Sequence, residues 1–255
     1  MTAAQRPDFL IAGAPRSGTT WLYRLLARHP DVYMAKPEKP EPKFFLIDEN
    51  YARGIDYYRE TYFSAAGNAK AAGEKSTNYL ESPAAARRIR EHLPQIKLIF
   101  ILREPADRAY SNYLWTRMNG LESETFERAI ELELEREKTL PAKLRFARPY
   151  SYFSRGLYAD LLKPYFEFFS KDRILCLRCE DIARDAGTLA RCVHGFLGVA
   201  PRPQDAAALG KVNPSEKTAE GLSPKTRDTL LARYAEPNRR LAALLGPGFG
   251  LWEGS

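Results

Sequence analysis

The sequence predicts an α/β fold in three layers, with a central parallel sheet flanked by helices. Three observations predict it. Phe9-Leu10-Ile11-Ala12, Leu98-Ile99-Phe100-Ile101-Leu102 and the segment from Arg173 to Leu177 are apolar runs, as strands buried on both faces require. Segments of helical spacing separate them. The first run ends in Gly13 and leads through a glycine-containing loop into a helix, the place where sheets of this kind bind ligands.

The elements follow in order. After Gly13, Trp21, Leu22, Leu25 and Leu26 share one helical face, and Pro30 stops that helix. Tyr57, Tyr58, Tyr62 and Phe63 also have helical spacing and read as core. A helix is expected near 81–92, then the strand Ile96 to Leu102. Pro105 suits the first turn of the next helix, which continues through Tyr110 and Leu114. The charge-rich stretch from Glu122 to Lys138 reads as a solvated helix, and 139–149 as a loop. Tyr150-Ser151-Tyr152-Phe153 then lines an acceptor site, forms a lid or packs. Helices near 155–169, 181–196 and 223–245 complete the pattern. No repeat, low-complexity stretch or shift in composition marks a boundary, so residues 1–255 are expected to form one domain.

Composition narrows the function. Of 255 residues 44% are apolar and 28% charged, which excludes disorder, collagen and coiled coil as the whole. The net charge of +7 suits an anionic ligand. No basic stripe interleaved with aromatics supports a nucleic-acid partner. Cys176, Cys179 and Cys192 are an odd set, which excludes a disulfide scaffold. Cys176 and Cys179 fall on opposite faces of a strand, so the C-x-x-C is not read as a redox or zinc site. His29, His92 and His194 are scattered near helix ends and read as surface or cap residues, with no metal-ligand spacing. No apolar run approaches the ~18 residues that span a bilayer, and no signal-peptide core is present. The expectation is a cytoplasmic protein without stable membrane insertion.

Two loops carry chemistry. Gly13-Ala14-Pro15-Arg16-Ser17-Gly18-Thr19-Thr20 lies between strand and helix, where successive amides and a helix N-terminus make an anion nest. The spacing is that of the nucleotide P-loop, but Thr19 stands where its lysine belongs and the cation is Arg16. The strand from Leu98 ends in Arg103, where an NTPase usually supplies an acidic residue for Mg²⁺. A guanidinium there binds an anion bidentately and calls for no metal. Ser111 lies two helical turns further on and can donate to the same anion. The other reading of Arg103 is an ion pair with Glu104 or Asp107.

These residues resemble a known family. Ala14-Pro15-Arg16-Ser17-Gly18-Thr19-Thr20-Trp21-Leu22 resembles the 5′-phosphosulfate loop of sulfotransferases that use 3′-phosphoadenosine 5′-phosphosulfate (PAPS). The stretch from Leu102 to Ser111 resembles their 3′-phosphate motif. Glu74-Lys75-Ser76-Thr77-Asn78-Tyr79-Leu80 and Pro40-Glu41-Pro42-Lys43-Phe44-Phe45 are similar to segments of the heparan sulfate N- and O-sulfotransferase branch.

The resemblance implies a P-loop-like fold, PAPS as donor, adenosine 3′,5′-bisphosphate as product and no metal. It implies that Arg16, Ser17, Gly18, Thr19, Thr20 and Trp21 hold the donor's 5′ end, and that Arg103 and Ser111 hold its 3′-phosphate. Lys211 or Lys217 is assigned to a basic loop over the nucleotide. Glu41 matches the general base of the heparan branch, although Pro40 stands where the family has Lys and Lys43 where it often has His. Glu38 stays open as the rival. A family position that often carries His lies near Trp115. Lys75 is read as stabilising the sulfuryl oxygens or holding the acceptor, or else as an ion pair with Glu74 or a solvated strand end. Sulfuryl transfer by analogy with phosphoryl transfer is in line, with a carboxylate taking the acceptor's proton. The acceptor is a hydroxyl or amine of a small molecule, lipid or sugar. The alternative is a P-loop nucleotide or small-molecule kinase, which differs in needing a metal.

Overall fold

The computed structural model describes residues 6–209 and 221–252. Among these residues β1 (Phe9–Gly13), β2 (Val32–Met34), β3 (Ala71–Lys75), β4 (Lys97–Leu102) and β5 (Ile174–Arg178) form one sheet. Its order is β2-β3-β1-β4-β5, and every neighbouring pair is parallel. The sequence marks β1, β4 and β5 but not β2 or β3. β3 reads Ala-Ala-Gly-Glu-Lys, without apolar alternation, yet all five residues are buried. Its place between β2 and β1 imposes that burial. Gly73 fits because an added Cβ would stand 2.5 Å from the Phe9 ring.

The helices are α1 (Thr19–Ala27), α2 (Asp48–Tyr51), α3 (Ile55–Phe63), α4 (Pro83–His92), α5 (Pro105–Met118), α6 (Phe126–Glu131), α7 (Glu133–Thr139), α8 (Tyr158–Phe168), α9 (Asp181–Leu197), α10 (Pro203–Ala207) and α11 (Pro224–Leu245). Chain contacts divide the molecule into two units. One holds the described residues through Leu102 and resumes at Lys163; the other holds Arg103–Leu162 and the C-terminal helix.

In the first unit Phe9, Ile11, Ile99 and Ile101 project from one sheet face. They pack on Leu22, Leu25 and Leu26 of α1 and on Leu189, Val193 and Leu197 of α9. Each such side chain contributes about 1.5–3 kcal/mol on burial. On β4, Phe100 meets the Tyr165 ring of α8 edge-on at 5.0 Å. The Tyr165 hydroxyl donates to the Tyr79 carbonyl at 2.5 Å. The parallel strands and flanking helices make this the P-loop-like α/β class.

In the second unit Ala106, Ala109 and Tyr113 of α5 pack with Phe126, Ile130, Tyr152, Leu230 and Tyr234. The charge-rich stretch is not one solvated helix. It breaks at Leu132 into α6 and α7. Two of its carboxylates turn inward. Glu122 accepts from the Tyr152 hydroxyl at 2.7 Å and from Arg136 at 2.6 Å. Glu133 accepts from the backbone amides of Tyr152, Phe153 and Ser154 at 3.0, 2.6 and 2.8 Å. Buried carboxylates require such donors, and the aromatic stretch supplies them.

His29 and His194 also depart from the expectation of surface or cap residues. Both are buried, with ring centroids 4.8 Å apart. His29 Nδ1 accepts from the Asp31 amide at 3.1 Å and Nε2 lies 2.8 Å from the Ala200 carbonyl. His194 Nδ1 accepts from the Arg202 amide at 3.2 Å, and no described residue bonds its buried Nε2. Burial, then the neighbouring His29 ring, lower the His194 pKa to about 4, partly opposed by Asp205. The unfolded chain takes up this proton near pH 6.5, before the folded state does. Stability is therefore lost as pH falls from about 6.5 to about 4, by an amount on the order of 3 kcal/mol. Thermal unfolding across that range is expected to show a shallower acid slope for His194→Asn than for the wild type. Identical slopes would contradict it.

Candidate active site

The carboxyl ends of β1, β3, β4 and β5 share one edge of the sheet. There the Ala14 amide donates to the Ile101 carbonyl at 2.9 Å, the Ser76 amide to Ile11 at 3.1 Å and the Cys179 amide to Leu102 at 2.6 Å. These bonds fix the loops leaving β1 and β3 side by side.

The β1 loop enters α1 through two left-handed residues. Arg16 has φ 67° and Gly18 has φ 89°. A side chain in that region is strained, and such strain collects at ligand sites. Gly18 is required on a second ground: a Cβ there would lie 2.6 Å from Ile182 Cδ1 and 3.2 Å from Cys179 Sγ. The Gly18 side of α1 has no side-chain cap, so the turn presents backbone donors. Ser17 is buried and its hydroxyl lies 3.4 Å from the Pro15 carbonyl. Thr19 is buried, Thr20 is half-buried, and the Trp21 indole faces the apolar core.

Beside this loop stands a buried ion pair. Lys75 Nζ donates to Glu41 Oε1 at 2.8 Å, with side chains only 3% and 13% exposed. Glu41 Oε2 accepts from the Thr77 amide and the Thr77 hydroxyl, both at 3.1 Å. Oε2 is thereby filled, and Oε1 keeps lone-pair capacity for a further donor. Lys75 also lies 6.0 Å from the Tyr23 ring of α1. Lys75 is thus neither a solvated strand end nor a partner of Glu74. Glu74 points to the other face of β3, where the Tyr79 hydroxyl donates to it at 2.8 Å. Glu38, the rival base, pairs with Arg24 at 3.2 Å in an exposed contact.

In the second unit Arg103 follows β4 directly. The Tyr158 hydroxyl donates to its carbonyl at 2.8 Å and lies 3.4 Å from its amide. Glu104 caps α5, accepting from the amides of Ala106 and Asp107 at 2.9 and 2.8 Å. Arg227 of α11 pairs with both Glu104 and Asp107. The carboxylates that sequence reasoning offered to Arg103 are therefore taken, and among the described residues no ion pair engages its half-buried guanidinium. Ser111 is buried on α5. Lys211 and Lys217 lie outside the described residues. Among the described residues no group of three His, Cys, Asp or Glu side chains is placed to hold a metal ion.

Residues 6–211 match the family described as "Sulfotransferase domain". The chain belongs to the sulfotransferase family. The chain is 31% identical over 212 residues to the human bifunctional heparan sulfate N-deacetylase/N-sulfotransferase 3. It is 34% identical over 205 residues to the Xenopus laevis N-deacetylase/N-sulfotransferase 1. These matches cover 82% and 78% of the chain but 24% and 23% of the relatives, so it spans about a quarter of their length. A sulfotransferase crystal structure from Alicyclobacillus acidocaldarius superposes with TM-score 0.78 at 30% identity, over 94% of this chain and 96% of the other. A mouse sulfotransferase, SULT7A1, complexed with PAP shares the fold at TM-score 0.61 and 16% identity, over 94% and 88% of the two chains.

Sequence reasoning did not single out Thr77 or Glu74 in the sulfotransferase. The available signal was the run Glu74-Lys75-Ser76-Thr77 at a strand end, where four polar residues in a row are all buried and need partners.

Proposed function

We propose that this sulfotransferase moves the sulfuryl group of PAPS to a hydroxyl or amine of a small-molecule, lipid or sugar acceptor. The observation that carries the reading is the meeting, on one sheet edge, of the left-handed glycine loop and the buried Glu41–Lys75 pair. Arg16, the amides from Ser17 to Thr20 and the threonine hydroxyls receive the donor's 5′-phosphosulfate and the charge that develops on its leaving oxygen. Arg103 and Ser111 take the 3′-phosphate. Trp21 acts by seating α1 in the core. Lys211 or Lys217 remains assigned to the basic loop over the nucleotide, and residues 1–255 work as one sulfotransferase domain. The PAP-bound mouse enzyme supports the nucleotide class.

Glu41 accepts the acceptor's proton as the acceptor oxygen or nitrogen bonds to sulfur and the bond from sulfur to the phosphate oxygen breaks. Lys75 holds that carboxylate in place and offers its charge to the sulfuryl oxygens. Positioning and charge stabilisation do the rest, and no step is assigned to a metal. No helix among the described residues is long and apolar enough to cross a membrane. Cys176, Cys179 and Cys192 are thiols, which suits the cytoplasmic location included in this proposal.

The test is transfer of radiolabelled sulfate from PAPS to a panel of sugars, lipids and phenols in EDTA. Labelled product unaffected by EDTA is expected. EDTA-sensitive phosphoryl transfer from ATP, with none from PAPS, would establish the kinase reading instead. At the loop, Gly18→Ala is expected to weaken adenosine 3′,5′-bisphosphate binding about 10-fold or more, and to cost about 1–3 kcal/mol of stability from left-handed strain. Calorimetry and thermal unfolding check both, and wild-type values would remove the loop's assignment.

A further inference from the structure

Glu74 is fully buried. Its Oε1 accepts from the hydroxyls of Tyr79 at 2.8 Å and Tyr58 at 3.4 Å. Both phenols hold the segment that carries Glu41. The Tyr79 oxygen accepts from the Phe45 amide at 3.3 Å. The Tyr58 ring stacks on Phe44 at 4.6 Å and meets Phe45 edge-on at 5.2 Å. Next along the strand, Ser76 Oγ accepts from the Lys43 amide at 2.8 Å, and Lys43 turns left-handed with φ 47°. The chain from Glu41 to Phe45 is therefore pinned at three successive residues by groups gathered at the end of β3.

We propose that Glu74 is a positioning residue, which aims the Glu41 carboxylate by holding the Tyr58 and Tyr79 hydroxyls against Phe44 and Phe45. The inference deepens the assignment of Glu41 and rests on it for its catalytic meaning. A buried carboxylate is costly where only packing is needed, because an apolar side chain of the same shape serves a core as well or better. Burial pushes the Glu74 carboxyl up to about 7 against the pull of the Tyr79, Ser76 and Tyr58 hydroxyls, with the Glu41 charge adding to the rise. The group is thus held in a site that disfavours its charge, where a neutral amide can take over the same acceptor role.

The test compares the full chain with Glu74→Leu, which keeps the volume and removes the acceptor, and with Glu74→Gln, which keeps it. Amide hydrogen exchange at Lys43, Phe45 and Thr77 reads the pinned segment and the hold on Glu41. About 10-fold faster exchange at these amides is expected in Glu74→Leu, with β1 and β4 unchanged and with recovery in Glu74→Gln. Release of labelled sulfate from PAPS to water is expected to fall roughly 10- to 100-fold in Glu74→Leu, while adenosine 3′,5′-bisphosphate binding stays within about 2-fold. Unchanged exchange at Thr77, uniform acceleration through the sheet, or no recovery in Glu74→Gln would overturn the proposal. Failure of the Glu41 assignment is a separate outcome: transfer would survive Glu41→Gln while the exchange result stood.

Discussion

Arg103→Ala is expected to raise the KM for PAPS by about 10- to 100-fold, the range of one or two charge-assisted hydrogen bonds. For adenosine 5′-phosphosulfate, which lacks the 3′-phosphate, the change is expected to stay within about 2-fold, so the ratio of the two effects isolates the contact. The structure gives the reason for so selective a loss. The Arg103 backbone is fastened by Tyr158 through bonds that alanine keeps. Glu104 and Asp107 are held by the α5 amides and Arg227, so no carboxylate is orphaned when the guanidinium goes. Arg103→Lys is expected to recover only part of the affinity, since an ammonium cannot bind a phosphate in the planar bidentate manner. Equal effects on both donors, measured by initial rates, would remove Arg103 from the 3′-phosphate.

Glu41→Gln is expected to lower kcat by about 10²- to 10⁴-fold, the usual contribution of a positioned general base. Nucleotide binding is expected to survive, because the substitution leaves the loop after β1 untouched, although the single glutamine oxygen can accept from only one of the two sides that Lys75 and the Thr77 amide occupy. A loss of about 1–3 kcal/mol in stability accompanies it, since a buried ammonium loses its countercharge. Glu38→Gln is the control. That carboxylate sits in an exposed pair with Arg24, where such pairs are worth about 0–1 kcal/mol, and turnover is expected to stay near wild type. A collapse of kcat in Glu38→Gln with normal turnover in Glu41→Gln would move the base to Glu38.

Much of the fold and the site is legible in the sequence, and the illegible parts share a cause. β1, β4 and β5 announce themselves because strands buried on both faces are written as apolar runs. β2 is apolar but only three residues long, and β3 contains Gly73, Glu74 and Lys75, so neither stands out as a buried strand on its own. Their burial is imposed by neighbours: β3 lies between β2 and β1, and its polar residues survive because Glu41, Tyr58 and Tyr79 meet them. The same applies to Glu122, Glu133, His29 and His194, whose partners are distant in sequence. The loop from Gly13 to Thr20 was legible because its information is local, a matter of glycine, threonine and arginine at a strand end. The pairing of Glu41 with Lys75 was not, since it joins residues 34 apart. The resemblance supplied both residues, and only the fold shows their contact.

The most direct measurement is calorimetric titration of adenosine 3′,5′-bisphosphate, with ADP as comparison, in EDTA, on the wild type and on Arg16→Ala and Arg103→Ala. The bisphosphate is expected to bind the wild type without metal, ADP at least about 10-fold more weakly, and each variant to lose about 10-fold or more in affinity for the bisphosphate. Equal binding of ADP, or bisphosphate affinity untouched in both variants, would contradict the assignment of Arg16 and Arg103 to the two ends of a doubly phosphorylated adenosine.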